Sequence, residues 1–252
     1  MKYIYFGSYP RTAVDDDDLI NNLDKITTID KQTGYLVYEG EKYESILANP
    51  YGNARFNNGK DIERGKNYYF KVEPIEWAIT DEEDKYSFLF STEIIDNKVF
   101  SKDGSNDYEH SDIRVFLDSE FLKRTFNKRE INEIVNDLID NSVSSTGYLN
   151  NHNICVDTKD SVFLISYKEV VYICKSINDQ DKYLIRTALV TDYAIAKGVR
   201  HNIETKRGLW ALRSPHNLYR DSIISCYDLV EYDAHDSAKL QFGLRPCIRL
   251  KK

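Results

Sequence analysis

The chain has 252 residues, 41% of them hydrophobic and 30% charged. That composition can bury a core and solvate a surface, which excludes a disordered chain. The formal net charge of -7, with no dense basic stretch to offset it, repels nucleic-acid phosphates and anionic lipid, so the expected partners include neither nucleic acid nor membrane.

Residues 1–10 hold too short an apolar core for a signal peptide, and no later run approaches the roughly 20 apolar residues of a membrane span; the expected location is cytoplasmic. Cys155, Cys174, Cys226 and Cys247 lack CxxC spacing, so reduced and mostly buried thiols are expected rather than a zinc knuckle or disulfide scaffold.

Along the chain, residues 3–6 alternate aromatic and aliphatic groups before Gly7 and Pro10, which predicts a first strand. The acidic run at 15–18, followed by Leu19, Ile20, Leu23 and Ile26, predicts a short helix with carboxylates at its positive end. Calcium is the alternative there, but the EF-hand glycine and closing glutamate are missing. Residues 35–38 and 41–46 read as a hairpin turning at Glu39 and Gly40, and residues 49–59 as a turn-rich connector. Residues 68–79 read as a long strand or strand pair in which Pro74 marks a bulge or edge. Phe88, Leu89 and Phe90 begin another strand leading into Ile94 and Ile95.

Helices are expected in the middle. Ser111 can cap one whose Ile113, Phe116, Leu117, Phe121 and Leu122 share a side, and Asn127 with Glu130 resembles a capping box. Ile131, Ile134, Val135, Leu138 and Ile139 follow at i, i+3, i+4, i+7 and i+8, predicting an amphipathic helix. Residues 162–166 read as a buried strand. Residues 168–174 read as a short helix and residues 191–197 as a capped helix stopped by Gly198. From Trp210 the chain returns to strands and loops. The whole, 1–252, is expected to form one α+β domain with a hairpin-containing insertion at about 15–65.

The last quarter is the most distinctive. Gly208-Leu209-Trp210-Ala211-Leu212-Arg213-Ser214-Pro215 is answered by Phe242-Gly243-Leu244-Arg245-Pro246-Cys247. With Tyr5-Phe6-Gly7-Ser8-Tyr9-Pro10, Tyr68 to Trp77 (YYFKVEPIEW) and Ser111-Asp112-Ile113-Arg114, these segments resemble a bacterial family of uncharacterised function, common in low-GC Gram-positive bacteria, over nearly the whole chain. That family is similar to the C-type-lectin-like fold, in the branch holding formylglycine-generating enzymes and the variable proteins of diversity-generating retroelements. The resemblance implies paired N- and C-terminal strands, helices flanking a mixed sheet, and a binding face on the loops before the final strand. Fold alone does not assign function.

Specific chemistry fails residue by residue. Formylglycine-generating enzymes use a copper-binding cysteine pair in the C-terminal region, whereas Cys226 and Cys247 are far apart and residues 208–215 contain no cysteine. Calcium-dependent lectins need clustered oxygens. Asp103, Asn106, Asp107, Glu109 and Asp112 form one candidate, and Asp228, Glu231, Asp233 and Asp236 another. Neither carries a sugar-binding triplet, and Glu73-Pro74-Ile75 has isoleucine where the amide belongs, so solvated loop acids are the expectation. Ser214 lies near His216 without a nucleophile elbow, and His110, His152, His201, His216 and His235 lack zinc spacing. No catalytic residue, metal site or cofactor is therefore assigned.

Recognition fits the segment between Pro215 and Phe242 better. His216, Asn217, Tyr219, Arg220, Asp221, Tyr227, Asp228, Tyr232 and His235 combine low-entropy anchors with adaptable hydrogen-bonding groups, and a protein or glycan is the expected ligand. The bland reading is a loop that covers the sheet in a chain with 19 tyrosines. Trp77 and Trp210 are expected in the core, and Arg213 and Arg245 in structural pairs with an acid such as Glu73 or Glu76, or with carbonyls. The alternatives are an enzyme of unrecognised chemistry in the same C-terminal cleft, which perturbed titratable groups in a deep pocket would favour, and an assembly subunit of a bacterial or phage particle, which an extended apolar patch would favour.

Overall fold

A computed structural model describes residues 1–82, 85–146, 156–215, 222–226 and 234–252. The elements run β1 (Lys2–Ala13), α1 (Asp17–Leu23), β2 (Leu36–Tyr38), β3 (Glu41–Leu47), β4 (Asn67–Glu82), β5 (Tyr86–Ser91) and β6 (Asp96–Val99). Then come α2 (Asp112–Phe116), a π-helical turn (Leu117–Phe121), α3 (Leu122–Thr125), α4 (Lys128–Glu133), β7 (Asp137–Ile139), α5 (Val143–Thr146), β8 (Thr158–Asp160) and β9 (Val162–Leu164). The remainder is α6 (Tyr167–Ser176), α7 (Asp179–Arg186), α8 (Asp192–Ala196), β10 (Trp210–Pro215), β11 (Ser222–Cys226), β12 (Ala234–Ser237), β13 (Gln241–Leu244) and β14 (Pro246–Lys251).

Local chemistry sets most of these boundaries. Asp16 caps α1 by accepting from Leu19 N, and Asp17 and Asp18 occupy its first turn. Ser111 caps α2, Asn127 and Glu130 form a complete capping box on α4, and Ser166 with Glu169 does the same for α6. In the β2–β3 hairpin Glu39 and Gly40 hold φ of 51° and 83°, the doubly left-handed turn whose twist matches that of the strands.

The predicted helix over 131–139 is corrected. α4 stops at Glu133, Val135 N donates to Arg249 O, and residues 137–139 pair with β8. β-Branched Ile134 and Val135, followed by Asn136 and Asp137, resist helix weakly, and a ladder offered by β14 and β8 outweighs the stripe. Leu138 is exposed while Ile139 is buried, the alternation of a strand.

Seven strands form the first sheet. β4 pairs with both β1 and β3 at residues 70–71, and with both β1 and β5 at 77–79. One edge of β4 therefore carries β1, and the other carries β3 and β5 in succession. β14 adds to β5, and β9 to β14. The expected pairing of N- and C-terminal strands is thus corrected: β4 and β5 stand between β1 and β14. The hairpin at 36–47 extends this sheet through β3 rather than standing apart from it. The second sheet has the order β12-β11-β10-β13-β6, with β10 and β13 parallel.

The two sheets are joined by a shared ribbon. β5 pairs with β14 in the first sheet, and their continuations β6 and β13 pair in the second. The crossing points are residues 92–95 and Arg245. Trp77 and Trp210 are fully buried in the same core cluster, as expected. The architecture is α+β, with mainly antiparallel sheets and short helices. No helix among the described residues is long and apolar enough to cross a membrane.

Candidate functional site

Two irregularities in β1 shape its outer surface. Tyr5 faces Glu76 and Ser8 faces Pro74, so Phe6 and Gly7 share the place opposite Ile75. Gly7 has φ 65°, and a Cβ there would lie 2.5 Å from the Phe126 ring. Further along, Pro10 faces Val72 and Thr12 faces Lys71, leaving Arg11 as the extra residue of a bulge. Such bulges re-aim a side chain out of the alternating pattern. Arg11 is turned onto Glu93, its Nε and Nη2 donating to the two carboxylate oxygens at 2.8 and 2.9 Å, a planar bidentate pair.

This pair is the ridge between two cavities. One, of about 320 Å³, is bounded by Tyr3, Glu76, Leu184, Ile185 and Arg207; the other, of about 470 Å³, reaches Asn57, Asp192 and Lys206. Both contain Arg11, Glu93 and Leu189, so together they make one elongated cleft. Its rim is apolar. Tyr3, Tyr5, Tyr183, Leu184 and Leu189 are among the thirteen large hydrophobic side chains exposed in the described residues. Tyr5 hydroxyl donates to Glu76 at 2.9 Å, and Tyr183 carries the Arg207 guanidinium 4.6 Å above its ring. Arg207 Nη1 also donates to the carbonyl and hydroxyl of Thr187, at 2.8 and 2.7 Å, which fixes its direction.

At the far end, burial pushes the Asp192 carboxyl up from its ordinary range, against the pull of two backbone donors, Asn57 N at 2.7 Å and Ala13 N at 3.1 Å. Lys206 beside it holds φ 59°, a strained conformation for a side chain with a Cβ. The polar lining includes threonines, Lys206 and the carboxylates of Glu76, Glu93 and Asp192 beside Arg11 and Arg207. What it offers is planar donors, carboxylate acceptors and an apolar rim.

Of the two C-terminal arginines, Arg245 borders this cleft. Arg245 is buried at the sheet crossing, its guanidinium 4.0 Å from the Phe90 ring and 4.6 Å from Trp210. It donates to Ser91 O at 2.9 Å and to Ile185 O at 2.6 Å, and Trp210 Nε1 donates to Arg186 O at 3.3 Å. Ile185 and Arg186 end α7, whose last carbonyls have no partner within the helix. The two motif residues therefore cap α7, one wall of the cleft. Arg213 pairs with Glu169, not with Glu73 or Glu76. Those two acids sit on β4 and accept hydroxyls from Thr12 and Tyr5.

His216, Asn217, Tyr219, Arg220, Asp221, Tyr227, Asp228 and Tyr232 lie outside the described residues. His235 is on β12, opposite Ile224, and its side chain also lies outside them. Of the first acidic group, Asp103 accepts from Ser101 and Ser105, and Asp112 from Lys102 N, which are turn contacts. Asp107 and Glu109 meet His110, the only such grouping among the described residues, and it is built from one exposed turn. Asp228, Glu231 and Asp233 are outside the described residues.

No curated protein and no solved structure matches the chain. A family model described as a domain of unknown function (DUF6273) matches residues 85–252, which include Glu93, Leu184, Leu189, Arg207 and Arg245 of the cleft, while Tyr3, Arg11 and Glu76 precede the matched span. With two thirds of its length inside that match, from β5 to the last strand, the chain belongs to the DUF6273 family.

Proposed function

We propose that this chain is a non-catalytic recognition domain that binds an extended segment of another protein in the cleft divided by Arg11 and Glu93. One observation carries the reading: exposed aromatic and aliphatic side chains gather around a floor of oriented guanidinium and carboxylate groups. Apolar contacts would supply area, and the paired planar groups would read main-chain amides or polar side chains. Leu184 and Leu189 on the rim favour a polypeptide, whereas the open faces of Tyr3 and Tyr5 favour the second reading, a glycan. The likeness to C-type-lectin-like folds supports the proposal only through their loop-borne binding faces, and the separated terminal strands depart from that plan.

The test compares printed peptide and glycan arrays probed with wild type, with Arg11→Ala/Arg207→Ala, and with Tyr219→Ala/Arg220→Ala/Tyr227→Ala, each checked by circular dichroism. Binding lost in the first variant and kept in the second is expected. The reverse pattern moves the site to the loops between Pro215 and Phe242, and equal binding by all three refutes both locations.

A further inference from the structure

The charged groups of the cleft are matched at one end and not at the other. In the cavity of about 470 Å³, two cations, Arg11 and Lys206, stand with two carboxylates, Glu93 and Asp192. Arg11 and Glu93 hold each other. Asp192 accepts from Asn57 N and Ala13 N, and Lys206, whose charge acts on it, donates to the carbonyls of Arg55 and Phe56 at 3.3 and 3.4 Å. Charge at that end is balanced.

The cavity of about 320 Å³ differs. The charged side chains that line it are Arg11, Arg207, Arg245, Glu76 and Glu93. Arg11 and Glu93 are paired, and Arg245 is committed to the carbonyls of Ser91 and Ile185. The amino group of Met1, which also lines it, is taken by Asp181 at 3.4 Å. Glu76 accepts from the Tyr5 hydroxyl but has no cation within ion-pair distance among the described residues, and Arg11 acts on it only through space. Arg207 gives Nη1 to Thr187, while its Nε and Nη2 meet no acceptor, and no carboxylate, among the described residues.

A carboxylate and a guanidinium thus share one cavity without pairing, among apolar walls that include Ala78, Leu184 and Leu189. Each is held by a neutral neighbour, Tyr5 or Thr187, so neither turns toward the other without losing a hydrogen bond. A ligand bringing only an anion would meet Arg207 but set a like charge near Glu76, and one bringing only a cation would do the same near Arg207. Such an arrangement selects a ligand that brings both charges and penalises one that brings either alone. Resting on the recognition reading above, we infer that the cleft selects a polypeptide segment with a basic and an acidic side chain on one side, the base set against Glu76 and the acid against Arg207. The balanced end of the cleft takes the uncharged continuation of the segment.

The experiment uses an array of short, terminally blocked peptides of serine, threonine and leucine. Lysine and glutamate are placed in them together at every pair of positions, singly, or not at all, and affinities are measured by fluorescence anisotropy. The best peptides with both charges are expected to bind about tenfold more tightly than those with either one. Glu76→Gln should lose the preference for lysine and keep that for glutamate, and Arg207→Gln the reverse, a split that a general loosening of the fold does not produce. Binding that ignores the peptide charges overturns the inference and leaves the recognition reading standing, whereas absence of binding by every peptide overturns both. Equal loss toward charged and uncharged peptides in both variants also overturns it, since the two side chains then act through the fold. Free lysine or free glutamate that competes as well as the best peptide replaces the segment with a small amphoteric molecule and overturns it likewise.

Discussion

Replacing Arg213 with methionine tests whether the C-terminal motif is scaffold. Arg213 is 1% exposed, and its Nε donates to Asn141 Oδ1 at 3.0 Å, its Nη1 to Leu164 O at 2.8 Å and its Nη2 to Asp140 O at 3.2 Å. Both Nη atoms also reach Glu169, which accepts from Ser166 N in the α6 capping box. One side chain thus ties β9, the turn at 140–141 and α6 together. Methionine fills the volume but removes the cation from Glu169 and the donors from two main-chain carbonyls and the Asn141 amide oxygen. Breaking a buried pair from one side costs about 3–5 kcal/mol; because Glu169 is 28% exposed, the lower end, about 3 kcal/mol, is expected. At about 2–4 °C per kcal/mol for a chain of this size, the melting temperature should fall by about 6–12 °C. Calorimetric melting and urea titration measure it. Arg213→Met/Glu169→Gln should recover about half, because the uncompensated charge is gone. A single-variant loss below about 1 kcal/mol, or a double variant no better than the single, would refute the reasoning. The pH dependence supplies a further check. Burial pushes the Glu169 carboxyl up, but Arg213 and the Ser166 donors outweigh it and hold it below the ordinary glutamate range. Its contribution is complete above the ordinary glutamate pKa and is lost as pH falls through the depressed folded value. Arg213→Met should lack that acid-side loss.

Gly7→Ala forces a left-handed φ on a residue whose Cβ meets Phe126; strain and overpacking together predict a loss of about 2–4 kcal/mol by urea titration, and a neutral result would show that the bulge is not built as described. Asn127→Ala removes the side chain that accepts from Arg129 N and Glu130 N and should cost about 1 kcal/mol, measured the same way. Cys247 is fully buried, and burial raises its thiol well above the ordinary range; mass spectrometry after iodoacetamide should find it unlabelled in the native protein and labelled in urea.

What was legible in the sequence was what neighbouring residues decide. Ser111, the Asn127 and Glu130 pair, the turn at Glu39 and Gly40, and Thr191 with Gly198 act over a few positions, and each sits where expected. The misread stripe at 131–139 has the opposite cause, since its partners β14 and β8 lie elsewhere in the chain. α7 escaped because Ile185 is its buried residue and the rest of its side chains give no apolar stripe, though Asn178, which caps it by accepting from Asp181 N, was a usable signal. Arg11 could not be found by pattern. Its direction depends on a one-residue slip against β4 that no local periodicity encodes.

The burial of Arg245 and Trp210 does not make them irrelevant to the cleft. Arg245 and Trp210 terminate α7, the helix that contributes Leu184 and Ile185 to the cleft wall. A cation stacked between rings and set against helix carbonyls also answers the negative end of the helix dipole. Substituting Trp210, which does not line the cleft, should therefore loosen the wall and weaken binding, an effect that would look like a contact on an alanine scan, and substituting Arg245 should loosen the wall in addition to changing the cleft lining. Arg11 and Arg207 are the better discriminators. Arg11 is held by Glu93 on the cleft ridge, and Arg207 by Thr187 and Tyr183 at its side, so their loss changes the cleft chemistry while the sheet crossing stays closed. An Arg245 variant that loses binding together with hydrogen-exchange protection of α7, beside an Arg11 variant that loses binding alone, would separate the two roles. Equal loss of α7 protection in both variants would show that Arg11, too, acts through the fold.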